Sequence, residues 1–387
     1  LVTDGAIPVL WLCGPPGVGK TAVGWEIYSE LVRSGIQAGY VDIDQLGMCY
    51  PEADSDPGRH RMKACNLAAV VAGYRAAGAR CVVVSGVVDP VYGVHLDELL
   101  EMALTVCRLR VDEQELRRRF VGRRGEVAGL EQALEEAANL DATFAADLCV
   151  DTSGLTVADV AARVRERTCG WPVLIDPERS VHRVASSHGA AVVDGTGSVV
   201  DLAEPVLWLC GATGVGKSTV GFQVYLTVRR AGWTAAYVDL DQVGFCGPIP
   251  ADHHVRAHNL AAIWRTYRQA GAQALVVVGP VEARPGVTVY AGALAGATLT
   301  LCRLHAEHDQ LASRIGLRGE GGSWSQPGDP LAGQRTVHLL RIADRAARQA
   351  DALERAGIGY RIDTSGRTVD EVAEMVLTRT AWPGRSR

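Results

Sequence analysis

Two textures alternate along the chain. Short, largely apolar runs stand at 9–13, 38–43, 81–85, 104–109 and 147–150. Runs of that kind predict parallel strands buried on both faces. Between them lie longer stretches with apolar residues at helical spacing, at 21–34, 61–77, 112–119 and 157–167, with a shorter one at 96–101. Gly35 and Gly78 follow the first two and act as helix stops. Strands alternating with helices predict an α/β domain, a parallel sheet with helices on both faces.

The same order returns further along. Residues 9–51 align with 206–248 without a gap and with 24 identities in 43 positions. Asn66-Leu67-Ala68-Ala69 is matched by Asn259-Leu260-Ala261-Ala262, and Asp151-Thr152-Ser153-Gly154 by Asp363-Thr364-Ser365-Gly366. The repeat is far longer than a solenoid unit, so it predicts two whole domains. We place them at 1–172 and 205–387, joined by a linker at 173–204 that holds the turn Asp194-Gly195-Thr196-Gly197 and has room for one short hairpin. The second unit also carries an extra glycine-rich stretch at 319–333. The duplication allows the copies to pack as a pseudo-dimer.

Composition narrows the class. The chain has 387 residues, 48% hydrophobic and 21% charged, with a formal net charge of −5. That balance is globular and speaks against a protein that coats nucleic acid. The ten cysteines form no C-x-x-C pair, and several stand in apolar runs, which predicts reduced thiols rather than a disulfide framework. The first residues lack the basic start of a signal peptide, and no apolar stretch has membrane-spanning length. We expect a cytoplasmic protein without membrane or nucleic-acid partners, acting on a small molecule.

The strongest chemical signal follows the first strand of each copy. Gly14-Pro15-Pro16-Gly17-Val18-Gly19-Lys20-Thr21 and Gly211-Ala212-Thr213-Gly214-Val215-Gly216-Lys217-Ser218 both fit G-x-x-x-x-G-K-[ST]. The glycines let backbone N–H groups curl around phosphates at the positive end of the next helix. Lys20 and Lys217 are placed to reach the β/γ-phosphates, and Thr21 and Ser218 to hold Mg²⁺. The third strand ends in Ser85-Gly86 and Gly279-Pro280, without the acidic residue of a motor ATPase, and no N-K-x-D guanine signature is present. Instead the second strand ends in D-x-D, Asp42 with Asp44 and Asp239 with Asp241. Strand carboxyl ends are where ligands bind in such sheets, so one aspartate (Asp42, Asp239) can support Mg²⁺ while the other (Asp44, Asp241) takes the proton of a substrate hydroxyl.

P-loop, D-x-D, an arginine-bearing helix after the fourth strand and D-T-S-G together resemble the small-molecule kinases of the nucleoside monophosphate kinase superfamily. Shikimate kinase, gluconate kinase, adenylylsulfate kinase, chloramphenicol phosphotransferase and zeta toxins share this layout, and the likeness runs nearly the length of each copy. It implies two P-loop kinase domains that use ATP and Mg²⁺. It further implies that Arg119 and Arg123, and Arg314 and Arg318, are lid arginines that clamp the transferring phosphoryl group. Asp151-Thr152 and Asp363-Thr364 resemble the loop beside the adenine ring. His60, Arg61, Lys63 and Asn66, matched by His253, Arg256 and Asn259, occupy the region that faces the acceptor in such kinases, with Asp89 and Glu282 as further candidates. Trp171 and Trp382 are expected in the core. The expected activity is ATP-dependent phosphorylation of a hydroxyl on a metabolite, nucleoside-like compound or antibiotic. A regulatory nucleotide-binding protein and a two-headed nucleotide or adenylylsulfate kinase are the alternatives.

Overall fold

The computed structural model describes residues 6–124, 129–143, 146–169, 171–172, 204–281, 284–321, 329 and 331–384. The linker at 173–203 and most of the glycine-rich stretch fall outside them. In the first copy the order is β1 (Ile7–Cys13), α1 (Lys20–Arg33), β2 (Ala38–Asp42), β3 (Cys49–Tyr50), α2 (His60–Ala76), β4 (Cys81–Ser85), β5 (Met102–Arg110), α3 (Glu113–Arg124), α4 (Leu130–Thr143), β6 (Leu148–Asp151) and α5 (Val157–Arg167). The second copy runs β7 (Pro205–Cys210), α6 (Lys217–Arg230), β8 (Ala235–Asp239), β9 (Cys246–Gly247), α7 (His253–Gln269), β10 (Ala274–Val278), α8 (Arg284–Ala293), β11 (Thr298–His305), α9 (His308–Gly319), α10 (Thr336–Ala356), β12 (Tyr360–Asp363) and α11 (Val369–Thr380).

Two six-stranded sheets result, ordered β6-β5-β1-β4-β2-β9 and β12-β11-β7-β10-β8-β3. Five strands of each are parallel, and the P-loop strand lies between two neighbours, with Trp11 opposite Val84 on one side and Val106 on the other. The sixth strand comes from the other copy. β9 pairs antiparallel with β2, and β3 pairs antiparallel with β8. Backbone bonds extend both exchanges: the Tyr40 N–H donates to Phe245 O at 2.9 Å, and the Tyr237 N–H to Met48 O at 2.8 Å. Each crossing segment covers what would otherwise be an open sheet edge. The sheet boundaries therefore do not follow the copy boundaries in sequence.

Successive residues of β1 point to opposite faces. Leu10 and Leu12 pack with Val23, Ile27, Val160 and Val164 beneath α1 and α5. Val9 and Trp11 face the other way, into a core that includes Leu67 and Val70 of α2 and also Leu260 and Ile263 of α7. That core is continuous between the copies, because α2 packs on α7. Gly73 makes the approach possible: a Cβ there would stand 2.0 Å from Asn259 Oδ1.

Three sequence expectations change. The helix expected at 112–119 continues to Arg124, and a second helix, α4, follows it (α10 in the other copy). The short helix at 96–101 is a single 3-10 turn, Leu96–Glu98, whereas the second copy has the full helix α8 in that region. The two exchanged strands are too short to stand out as periodic runs. Trp171 and Trp382 are buried, as core residues should be. Among the described residues no helix is long and apolar enough to cross a membrane.

Candidate functional site

Both P-loops lie between a central strand and its helix. Gly14 and Gly211 sit at φ 138° and 149°, and a Cβ on either would press within 2.3 Å of Leu109 O or 2.6 Å of Leu304 O. Only glycine fits that close passage of the loop beneath the neighbouring strand's end. Gly17, Gly19, Gly214 and Gly216 also have positive φ. Val18 and Val215 are buried under the loops and pin them to the core.

Lys20 is buried, and its Nζ donates to Gly14 O at 2.7 Å and Pro15 O at 3.0 Å. Lys217 donates to Ala212 O at 3.1 Å. In both copies burial pushes the lysine below its ordinary pKa, while the nearby aspartates act the other way. A phosphate arriving in the loop offers these ammonium groups a better partner than a neutral carbonyl.

The D-x-D pairs are arranged by local geometry. Asp42 ends β2, and its Oδ1 accepts from the Asp44 N–H at 3.1 Å, capping a 3-10 turn over Ile43–Gly47. Asp239 Oδ1 accepts from Asp241 N–H at 3.0 Å. The turn cancels the strand alternation that would send the two side chains to opposite faces. Asp42 and Asp239 end buried, while the side chains of Asp44 and Asp241 are 50% and 54% exposed. Thr21 Oγ1 donates to Asp42 Oδ2 at 3.4 Å and Ser218 Oγ to Asp239 Oδ2 at 2.8 Å. Burial, then the neighbouring aspartate, raises the pKa of Asp42 and Asp239. A hydroxyl and a carboxylate with raised proton affinity side by side fit Mg²⁺, a hard cation that keeps several waters and shares its other ligands with phosphate. Among the described residues no group of three or more His, Cys, Asp or Glu side chains is placed to bind a metal by itself.

The first arginine of each pair is engaged beside the P-loop. Arg119 donates to Val18 O at 3.2 Å, Thr152 Oγ1 at 3.0 Å and Thr152 O at 2.7 Å. Arg314 repeats the pattern with Val215 O at 3.1 Å, Thr364 Oγ1 at 2.9 Å and Thr364 O at 2.8 Å. In this state they brace the P-loop against the D-T-S-G turn instead of projecting over the phosphate site. Arg318 is paired with Asp329 at 2.6 Å. The Arg123 side chain lies outside the described residues. Asp151 and Asp363 each accept from the backbone N–H two residues on, at 2.8 and 2.9 Å, and so fix the turn. The helix caps are separate capping boxes, Thr156 with Asp159 and Thr368 with Glu371.

On the acceptor side, Lys63 Nζ donates to Asp44 Oδ1 at 3.0 Å, and Arg256 stands 3.5 Å from Asp241. His60, Lys63, Asp89 and His95 line a small pocket with Trp11. His95 Nε2 lies 3.0 Å from Asp89 Oδ2, and burial followed by the Lys63 charge lowers the His60 pKa. In the second copy His253 Nδ1 lies 3.4 Å from the Tyr290 hydroxyl, and Tyr290 stacks edge-on against Trp208. Three residues expected at the acceptor are engaged with the protein itself. Asn66 and Asn259 are fully buried and donate to Leu46 O at 2.7 Å and Val243 O at 2.9 Å, tying each D-x-D turn to its helix. Arg61 is exposed and paired with Glu98 at 2.8 Å. Glu282 lies outside the described residues. His95, Tyr290, Glu136 and Gln349 belong to none of the sequence motifs, whereas Trp11 and Trp208 stand in the repeated V-L-W-L-C-G run.

No family model matches the chain, and no curated protein does. Solved structures similar to it include a tunicamycin resistance protein of Deinococcus radiodurans (17% identity, 46% of this chain and 95% of that one, TM-score 0.31). A gluconokinase of Sinorhizobium meliloti is 19% identical over 46% of this chain and 92% of its own, with a TM-score of 0.32. The APS kinase of Mycobacterium tuberculosis, solved with AMPPNP and APS, is 19% identical over 46% and 96%, with a TM-score of 0.30.

Proposed function

We propose that the protein is an ATP-dependent phosphotransferase with two sites, each phosphorylating a hydroxyl of a small molecule. One observation carries this reading. In both copies a P-loop lysine, buried in the first and half-buried in the second, a hydroxyl–carboxylate pair and a second, outward carboxylate converge at one end of the sheet. Thr21 with Asp42, and Ser218 with Asp239, would hold Mg²⁺, which when bound neutralises phosphate charge. Lys20 and Lys217 would turn from their loop carbonyls to the phosphates. Asp44 and Asp241 would orient the acceptor hydroxyl and take its proton as the new P–O bond forms and the bond to the leaving diphosphate breaks. Lys63 and Arg256 hold those carboxylates in position until then.

The test is ADP release from ATP·Mg²⁺ across a panel of hydroxylated acceptors, with mass detection of the phosphorylated product. Product that disappears in Lys20→Ala or Lys217→Ala supports the reading. Tight ATP binding without product from any acceptor would instead favour a regulatory nucleotide sensor.

A further inference from the structure

The two copies differ at one position that stands against the P-loop. α4 and α10 are held in the same register, because Arg108 pairs with Asp141 and Arg303 with Glu354. Leu140 and Leu353, one residue earlier in each helix, are both buried. Four residues before those leucines come Glu136 and Gln349, so the two are equivalent. Gln349 Oε1 accepts from the Thr213 N–H of the second P-loop at 3.4 Å. The first P-loop has Pro16 in place of Thr213, and proline has no N–H to give. Glu136 is half-buried, and the charges that act on it are those of Lys20, Asp44 and Lys63. Burial raises its pKa, with Lys20 opposing.

Resting on the reading that both P-loops bind nucleotide, we propose that Glu136 and Gln349 make them unequal sites, the second binding ATP·Mg²⁺ more tightly than the first. A carboxylate whose charge acts on Lys20 competes with the incoming polyphosphate for that cation and repels its negative charge in a poorly hydrated place. The amide of Gln349 carries no charge, contacts the loop through its oxygen and leaves its NH₂ free to turn toward a phosphate oxygen. The second copy then fills first as nucleotide rises, and the first responds only at higher concentration.

Isothermal titration of AMPPNP with Mg²⁺ tests this in the full chain. Lys217→Ala isolates the first site and Lys20→Ala the second. The expected result is a second site at least tenfold tighter. Glu136→Gln in the Lys217→Ala chain should tighten the first site about tenfold, and Gln349→Glu in the Lys20→Ala chain should weaken the second by a similar factor. Circular dichroism and melting of each variant show that it is folded. If the first site is too weak to detect, its appearance in Glu136→Gln supports the proposal and its continued absence overturns it. Equal affinities, or exchanges at 136 and 349 that leave the ratio unchanged, also overturn it. Absence of any binding by the unaltered chain defeats the nucleotide reading itself.

Discussion

The two copies agree closely around the P-loop and part company beyond the second aspartate of D-x-D. Lysine to loop carbonyl, hydroxyl to buried aspartate, and arginine to threonine are the same contacts twice over. Beyond the second aspartate the likeness fades. The first copy pairs Asp44 with Lys63, which in turn lines a small pocket with His60, Asp89 and His95. The second pairs Asp241 with Arg256, sets His253 beside Tyr290, and replaces a 3-10 turn with the helix α8. Phosphate is the same ligand in every such site, so its backbone cradle tolerates little change. An acceptor pocket is lined by side chains that can be exchanged one at a time. If both copies are phosphotransferase sites as proposed, the difference calls for a search for two acceptors, or two forms of one acceptor.

The comparison breaks most sharply at the lysines. Lys20→Ala and Lys217→Ala should each lower turnover at their own site by about 10²–10³-fold or more while sparing the other, as loss of a charge-stabilising donor does. Steady-state rates with each acceptor would assign acceptors to copies, and equal losses of all products in both variants would mean that the copies do not act separately. Next come Asp44→Asn and Asp241→Asn, expected to cost about 10²–10⁴-fold in kcat with nucleotide binding kept, the mark of a lost general base. A fall in nucleotide affinity with kcat unchanged would contradict that role.

The seam between the copies gives a smaller effect with an informative sign. Gly73→Ala adds a methyl 2.0 Å from the buried Asn259 Oδ1 and should destabilise the whole chain by about 1–3 kcal/mol. Gly316→Ala in α9, with no atom within 4 Å of its added methyl, should stabilise by up to about 1 kcal/mol from helix propensity alone. Thermal melting reads both, and a stabilising Gly73→Ala would mean that α2 and α7 do not meet as described.

The smallest effect concerns the buried aspartates. Their folded pKa is raised above the unfolded value, so the folded chain holds its proton more tightly. Without Mg²⁺, stability from these groups is greatest below the unfolded carboxylate range and is lost as pH rises through that range to the folded pKa. Asp42→Asn should therefore melt a few degrees higher than the unaltered chain at neutral pH without Mg²⁺, with no such advantage at pH 4 and with activity at the first copy lost. A lower melting temperature at neutral pH would show that Asp42 is stabilised there as an anion.

Much of this was legible in the residues because it is local. The duplicated V-L-W-L-C-G run, the glycine-rich loop and D-x-D each draw their structure from a few neighbours. Glycine at positive φ, an apolar run long enough for a buried strand and a carboxylate capping the next turn need no distant partner to be recognised. Other features depend on residues far away in sequence, and only the tertiary structure decided them. Cys49–Tyr50 and Cys246–Gly247 are strands because the other copy's sheet edge is there to pair with. Asn66 and Asn259 lie beside acceptor-facing residues in sequence, yet helix packing buries them, and a buried amide is spent on the nearest carbonyl. Arg119 and Arg314 find the D-T-S-G turn across the P-loop, and the charge of Glu136 acts on Lys20 from a helix that no motif marks. Sequence determined the glycine-rich loop, since that depends on backbone shape over eight residues; the fold decided what surrounds it, since that depends on which helices are brought together.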